Sequence, residues 1–502
     1  MYDLSTGERA SGLNVVIFRD RFLIRRNMVQ PWKLLVYVAA DNSLYDDAQV
    51  SLREITNASR FSDVETIVQV DGPSTQLSTR YRCINGSKEV IWAAPDHYTL
   101  DRAQRLREFL MACADESQEM KRIFLVLWGH GAGLDHVYFI GNTGSTVDTD
   151  FAPSETLNIA NPNQYVENVA LARILLEFTQ TTGQKIDLLG FDACMMAMVE
   201  IWHEIRESTQ LAVASDLKLP KSSWPYETIL SDLAHCSGMD ANTLAAIIVS
   251  RFLERYDAQG RHERVSLSAC SLDACNPFAD AMKKLVDEMK KVVLEGEARR
   301  RIFRARDSSR TPDEIAYIDM GNFARELCQS FDRKSAIHEC SRNVLRVLTG
   351  YPYLIYNRNA KKDECYDAYG VALYFPMTLA PSCDHLYQSA ANRNLETERR
   401  LGFWADTKFP PTIGKFLPTI GKFPPTIGKF PPTIGKFPPT IGKFPPTIGK
   451  FATAGGANGS PDHAGDDAIT GYEILWSHYK ELQFCRTTGW ADLIETALSL
   501  GY

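Results

Sequence analysis

Two apolar segments constrain the fold of this chain more than any other feature of its sequence. The first, KRIFLVLWGHGAG, spans residues 121–133, and the second, KIDLLGFDACM, spans residues 185–195. Each begins as an apolar, β-branched run and ends in small and polar residues, which is typical of strands buried on both faces of a parallel sheet. Catalytic groups lie just beyond the carboxyl ends of such strands. His130 and Cys194 follow the two runs, so the pattern predicts an imidazole and a thiol in one crevice.

The rest of the chain alternates between strand and helix patterns. Strands are predicted at residues 32–40, 64–70, 211–215, 265–270 and 370–374, a hairpin at 81–92, and helices at 45–55, 102–111, 170–178, 224–233, 244–256, 277–294 and 338–348. Another helix is expected to begin directly after Cys194, because apolar residues recur at helical spacing from Met195 to Ile205. This alternation predicts an α/β fold of three layers, in which a mainly parallel sheet has helices on both faces.

Composition excludes several classes of protein. The chain has 502 residues, of which 44% are hydrophobic and 23% charged, enough for a large core. Its net charge of −7 offers no basic surface for nucleic acid, and no stretch approaches the ~20 apolar residues of a membrane span. The 11 cysteines are irregularly spaced, so neither a disulfide framework nor a metal site is expected. We expect no cofactor, and a cytoplasmic location because no secretory signal is recognised; no calcium loop is recognised either.

The sequence divides into four parts. Residues 1–31 are expected to form a poorly ordered extension, and residues 32–382 the main domain. Residues 409–451 hold six tandem copies of FPPTIGK, one of them with leucine in place of the first proline. Proline and glycine in every copy are incompatible with a helix, so these repeats are predicted to be an extended, disordered linker. Aromatic residues within 466–502 predict a helical segment that packs on the main domain.

The chemistry of the thiol and imidazole can be argued from their positions. A cysteine nucleophile needs a base, a positive neighbour or a helix N-terminus to ionise, and the helix expected after Cys194 would supply the last. His130 would protonate the leaving amine of a cleaved peptide bond. The backbone amides of Gly131 and Cys194 are the expected donors to the oxyanion of the tetrahedral intermediate. The pair therefore predicts acyl transfer through a thioester, with a protein or peptide as substrate.

Four segments together resemble one known family. WKLLVYVAADNSL, LVLWGHGAG, LLGFDACMMAMVEI and ASDLKLPKSSWPYETIL follow one another in the order and spacing of the clostripain family of cysteine peptidases. The resemblance implies a caspase–hemoglobinase fold with His130 and Cys194 as the catalytic dyad. It also implies cleavage after arginine or lysine, with Asp192 lining the pocket for the basic side chain.

The predicted substrate pocket departs from the family pattern at one place. Where the family reads Pro-Gly-Asp-Gly-Trp, this chain reads PKSSW, so Ser222 replaces a second pocket acid beside Lys221 while Trp224 is retained. One charge-assisted hydrogen bond fewer would weaken binding of a guanidinium by ~1.5–3 kcal/mol. Asp216 and Glu227 are near in sequence and are candidates to compensate. The predicted substrate-binding residues are therefore Asp192, Asp216, Ser222 and Trp224.

A second departure concerns maturation by cleavage. Relatives in this family are often cut after a basic residue in the loop between the histidine and cysteine strands. Residues 131–172 contain no lysine or arginine, so this chain is expected to remain uncut there. The lysine that ends each FPPTIGK repeat offers a different position for such a cut.

Two other functions are compatible with parts of the pattern. A catalytically silent member of the same fold would use the crevice to bind peptides as a regulatory protein, and the altered pocket leaves room for that reading. An α/β-hydrolase esterase would use the His-Gly sequence in its oxyanion loop. No GxSxG nucleophile motif occurs in the sequence, which argues against the esterase.

Overall fold

A computed structural model provides the architecture of the chain. It describes residues 31–377, 476 and 479–501, apart from 62–63, 74–77, 96–99, 115–120, 132, 135–165, 237, 259–264, 313–315, 351–353 and 360–367, and only the backbone of 15–18, 21–24 and 354–359. The repeat linker predicted at 409–451 and most of the N-terminal extension lie outside these residues. So does most of the polar segment that separates the histidine and cysteine strands.

The described strands form one large sheet and two small ones. They are β1 (Val15–Phe18), β2 (Arg21–Ile24), β3 (Trp32–Ala39), β4 (Glu65–Asp71), β5 (Thr79–Ile84), β6 (Ser87–Ala93), β7 (Arg122–Trp128), β8 (Ile186–Asp192), β9 (Thr209–Ala214), β10 (Ser266–Ser271), β11 (Tyr317–Asp319), β12 (Leu354–Asn359) and β13 (Ala372–Tyr374). The large sheet has the order β12-β10-β9-β8-β7-β3-β4-β5-β6. The pairs β1-β2 and β11-β13 stand apart from it.

The middle of the large sheet is parallel and its edges are antiparallel. Strands β9, β8, β7, β3 and β4 run parallel to one another. At one edge β10 is antiparallel to both of its neighbours, β9 and β12. At the other edge β5 is antiparallel to β4 and forms a hairpin with β6. The hairpin turns at Asn85 and Gly86, whose φ angles of 52° and 75° are those of a two-residue turn that fits the strand twist. The predicted parallel core is confirmed, whereas the strand predicted at 370–374 pairs with β11, outside the large sheet.

Helices cover both faces of the large sheet. They are α1 (Tyr45–Ala58), α2 (Arg102–Ala114), α3 (Asn168–Thr182), α4 (Val199–Ile205), α5 (Tyr226–His235), α6 (Ala241–Ala258), α7 (Cys275–Val292), α8 (Gly296–Ser308), α9 (Met320–Ser330), α10 (Ala336–Thr349), α11 (Gln483–Thr488) and α12 (Trp490–Ser499). One face carries α1, α5 and α6, and the other carries the remaining helices. In the part of the chain that the structure describes, no helix is long and apolar enough to cross a membrane.

Alternate residues of the central strands enter two separate cores. In β3, Leu35 and Tyr37 pack into one core while Leu34 and Val36 pack into the other. This is the period of two that places successive side chains on opposite faces of a sheet. It explains why the predicted strands read as continuous apolar runs, since both faces are covered by helices.

The C-terminal segment is part of the core that contains Leu35 and Tyr37. Helices α11 and α12 lie against α4 and α7, and Phe484, Trp490 and Ile494 have no exposed surface. The polypeptide thus returns to the main domain after the repeats. Sequence patterns did not predict α8 and α9, which contribute to the same core, or β12, the edge strand of the large sheet.

Candidate active site

The two strands that carry the predicted dyad are neighbours. Strands β7 and β8 pair in parallel, with Trp128 opposite Asp192 in the register, and the Gly129 amide donates to the Asp192 carbonyl at 3.2 Å. His130 and Cys194 each lie two residues beyond this last pair. The topology therefore brings the imidazole and the thiol to equivalent positions at the carboxyl ends of adjacent strands.

Gly131 holds the two strand ends together. A Cβ atom at this position would lie 2.2 Å from the carbonyl oxygen of Cys194 and 2.9 Å from its amide nitrogen. Only glycine allows the backbone after β7 to approach the backbone of Cys194 so closely. The amides of Gly131 and Cys194, the predicted oxyanion donors, are thus adjacent.

The backbone after Cys194 is not helical, contrary to the sequence-based prediction. Met195 has a φ of 59°, a left-handed conformation that costs a residue with a side chain ~1 kcal/mol or more. Its amide donates to the Leu217 carbonyl at 3.0 Å, and the Ala197 amide donates to Ser215 at 2.9 Å. Helix α4 begins only at Val199. The amides next to the thiol are therefore committed to the loop after β9 and cannot form the helix N-terminus expected there.

A different donor reaches the sulfur. The backbone amide of Leu219 donates to Cys194 Sγ at 3.2 Å. A hydrogen bond to sulfur favours the thiolate over the thiol, so this amide takes the part that the predicted helix N-terminus was expected to play. A backbone donor from another loop leaves no signature in side-chain identity, and sequence reasoning missed it.

His130 is buried at the mouth of the site. Its Nε2 lies 3.3 Å from Oγ of Ser43, which is in the turn between β3 and α1. Burial and, to a smaller extent, the positive charges of Lys221 and Arg102 together lower the pKa of His130 to about 4. The imidazole is therefore neutral at pH 7 and can accept a proton. Once protonated it is a stronger acid than an ordinary imidazolium and can protonate a leaving amine.

Removing the charge of Lys221 should raise the pKa of His130, because a nearby cation disfavours the imidazolium. We expect Lys221→Ala to move the midpoint upward from about 4 by roughly half a unit. The measurement is an NMR titration of the imidazole C–H signals in a Cys194→Ala background, with His130→Gln for assignment. Lys283→Ala, an exposed lysine on α7, should leave the midpoint unchanged. Equal midpoints for both lysine variants would contradict the electrostatic contact.

Asp192 is held by a set of donors from the loop before α5. Its Oδ2 accepts hydrogen bonds from the Ser223 hydroxyl, from the Tyr226 hydroxyl at 2.7 Å and from the Trp224 amide at 3.4 Å. Burial raises the pKa of Asp192 to about 6, although the three hydrogen bonds oppose that shift. The carboxylate is thus fixed in orientation and largely ionised above pH 6.

The other predicted substrate-binding residues have different surroundings. Ser222 is half-buried, with its hydroxyl 3.0 Å from that of Tyr256. Trp224 has no exposed surface, and a Cβ atom on Gly190 in β8 would lie 2.8 Å from its ring. In this structure its side chain is a core residue that packs against β8. Its assignment to a substrate pocket stays a prediction.

Asp216 is also fully buried, and it belongs to an internal ion pair. Arg310 Nη1 lies 3.0 Å from Asp216 Oδ2, and the backbone of Arg310 is bonded to Asn322 and Asp319 at the start of α9. The pair thus fixes the loop after β9, the loop whose Leu219 amide reaches the thiol. A substrate-binding role for Asp216 stays a prediction, since its carboxylate is closed off in this structure.

In the described part of the chain, no three His, Cys, Asp or Glu side chains group as ligands for a metal ion. The site therefore consists of a thiol, a neutral imidazole, backbone amides and a buried carboxylate. These groups can perform nucleophilic acyl transfer, with the thiol as nucleophile, the imidazole as proton carrier and the amides as donors to the oxyanion.

Comparison with known proteins assigns this site to a family. The sequence matches the model of the clostripain family, peptidase family C11, over residues 36–396. The chain belongs to the clostripain family. It is therefore a cysteine peptidase, a hydrolase, and the matched region contains both His130 and Cys194. No match was found among the curated protein sequences.

Solved structures support the fold of this clostripain-family member. An inactive zymogen C11 protease from Parabacteroides distasonis matches with a TM-score of 0.52 and 17% identity, covering 72% of this chain and 96% of the other. A secreted C11 cysteine protease from Bacteroides thetaiotaomicron, in complex with an irreversible peptide inhibitor, matches with a TM-score of 0.51 and 16% identity, covering 72% and 96%. These likenesses confirm the predicted caspase-like α/β architecture.

Proposed function

We propose that this cysteine peptidase is an endopeptidase that uses Cys194 as nucleophile and His130 as acid and base. The observation that carries the proposal is the contact of Gly131 with the Cys194 backbone, which joins the ends of β7 and β8. His130 takes the proton of the Cys194 thiol, and the resulting thiolate attacks the peptide carbonyl to form a tetrahedral intermediate. This intermediate collapses to a thioester as the C–N bond breaks and His130 passes that proton to the departing amine. Water then hydrolyses the thioester with His130 as base.

We further propose that cleavage follows arginine or lysine. Asp192 supports this, because its carboxylate lies at the end of the strand that leads to the nucleophile and is held in place by three donors. Ser222 and Lys221 lower the expected affinity, since one replaces a pocket acid and the other adds a positive charge. The preference for basic residues should therefore be real but moderate.

Asp192→Asn should reduce kcat/KM for peptides ending in arginine or lysine by roughly 10- to 100-fold, the scale of one charge-assisted hydrogen bond. The asparagine keeps the shape and an oxygen acceptor for the Ser223 and Tyr226 hydroxyls. The measurement compares fluorogenic peptides that end in Arg, Lys, Leu or Asp. Hydrolysis of the leucine peptide serves as control and should change little.

The same panel tests the specificity by itself. Cleavage only after leucine or aspartate by the unmodified protein would overturn the basic preference and keep the dyad. An equal loss for all four peptides in Asp192→Asn would instead make Asp192 a structural residue. No cleavage by a folded protein, with or without calcium, would favour the catalytically silent peptide-binding protein.

A further inference from the structure

The C-terminal segment, defined here as residues 479–501, covers a mixed polar and apolar face of the main domain. This docking face consists of α4, α7 and the strand end at Tyr374. Phe484 stacks on Phe278 of α7 with ring centroids 6.4 Å apart. Trp490 meets the ring of Phe375 edge-on at 5.1 Å, and neither Phe484 nor Trp490 is exposed.

Polar groups of the docking face are satisfied by the C-terminal segment. The amide of Gln483 donates to the carboxylate of Glu204, and the Tyr479 hydroxyl donates to Glu200 Oε1 at 3.2 Å. The indole of Trp490 donates to the Tyr374 carbonyl at 2.9 Å. Buried polar groups that lose such partners are costly, so the face is built for this particular occupant.

Further contacts extend along the whole segment. Arg206 donates to the Gln483 side chain at 2.9 Å, Lys290 pairs with Asp492 at 3.3 Å, and Arg299 donates to the Gly501 carbonyl at 2.8 Å. The contacts therefore reach from the start of α11 to the last described residue. None of them depends on the chain between residues 378 and 475, which includes the repeats.

The docking face leads directly to the nucleophile. Helix α4 begins five residues after Cys194, and Met198, which precedes it, bridges to Ala372. The Tyr374 amide donates to Glu200 Oε1 at 2.9 Å, which is the oxygen that Tyr479 also reaches. The segment thus supports the two elements that flank the loop of the nucleophile.

We infer that the C-terminal segment is a separable subunit of the peptidase, which stays bound to the docking face and supports activity after the connecting chain has been cut. The lysine of each FPPTIGK repeat makes that connection a basic-residue cleavage target. The peptidase would then work as a two-chain protein. The effect on activity rests on the proposed function, whereas the binding of the segment does not.

The test uses the full chain with a site for a sequence-specific protease inserted between residues 452 and 465. After cleavage, gel filtration at micromolar protein should show the C-terminal fragment co-eluting with the body, and kcat/KM should stay within about twofold of the uncut protein. Separation of the fragment from a folded body would overturn the inference. The inference would also be overturned if the fragment co-eluted with the body but kcat/KM was lost when the chain was cut.

Variants sharpen this experiment. Trp490→Ala should weaken fragment binding at least ~100-fold after cutting, because a buried tryptophan is removed. The uncut variant should keep most of its activity, since the tether maintains a high effective concentration. Ser499→Ala, exposed on the same helix, should behave as the unmodified chain. Equal retention of the fragment by both variants would contradict the assigned docking face.

A failure of the proposed function would be distinguishable from a failure of this inference. Cut protein carrying Cys194→Ala has no nucleophile but an unchanged docking face, so its fragment should co-elute as in the unmodified protein. Co-elution without peptidase activity in any form would reject the dyad and keep the docking. Peptidase activity in the uncut protein, together with dissociation of the fragment after cutting, would keep the proposed function and reject the docking.

Discussion

Cys194→Ala should abolish peptide hydrolysis, with kcat/KM falling by ~10⁴-fold or more, the scale of removing a catalytic nucleophile. Without the sulfur no thioester can form, and His130, which only transfers protons in the proposed mechanism, cannot replace the nucleophile. The thiol is half-buried and accepts a hydrogen bond from the Leu219 amide. The free energy of unfolding should therefore change by only about 1 kcal/mol. Thermal unfolding of the same samples separates loss of chemistry from loss of fold.

The matched control is Cys236→Ala, an exposed cysteine after α5, which should retain full activity. A peptidyl electrophile that alkylates thiols provides a second readout. Mass spectrometry should find the adduct on Cys194 both in the unmodified chain and in the Cys236→Ala variant. Adducts on another cysteine, or hydrolysis that survives in Cys194→Ala, would reject the proposed nucleophile.

The central strands, and the neighbouring positions of His130 and Cys194 just beyond two of them, could be predicted because their signals are local. A continuous apolar run such as residues 122–128 is typical of a strand that is covered by helices on both faces of a parallel sheet. Neighbouring parallel strands have their carboxyl ends at the same edge of the sheet. His130 and Cys194 then converge from topology alone. The sequence therefore carried the position of the site before any contact was known.

The surroundings of the thiol could not be predicted, because they depend on distant contacts. The apolar spacing after Cys194 favours a helix, yet Met195 is left-handed and donates to Leu217 in another loop. Tertiary hydrogen bonds override local propensity at this point. Asp216 shows the same limit, since the partner that buries its charge, Arg310, is 94 residues further along.

Gly131→Ala should be the most damaging single-methyl addition near the nucleophile. The new Cβ would be placed 2.2 Å from the Cys194 carbonyl oxygen, far inside van der Waals contact, so the two strand ends must separate. A displacement of ~1 Å at a catalytic centre costs on the order of 100-fold in rate. Overpacking should also lower the free energy of unfolding by about 1–3 kcal/mol.

Gly296→Ala supplies the comparison, because the same methyl group there meets only a side-chain nitrogen of Arg300 at 3.5 Å. Alanine is the better helix former at the start of α8, so stability should be unchanged or rise by up to ~1 kcal/mol, with activity unaffected. The quantity to compare is kcat/KM alongside thermal unfolding of both variants. If Gly131→Ala is as stable and as active as Gly296→Ala, then the close approach of the Gly131 and Cys194 backbones is not needed to place their amides as donors to the oxyanion. If its activity falls far more than its stability, the close approach of these two backbones serves catalysis.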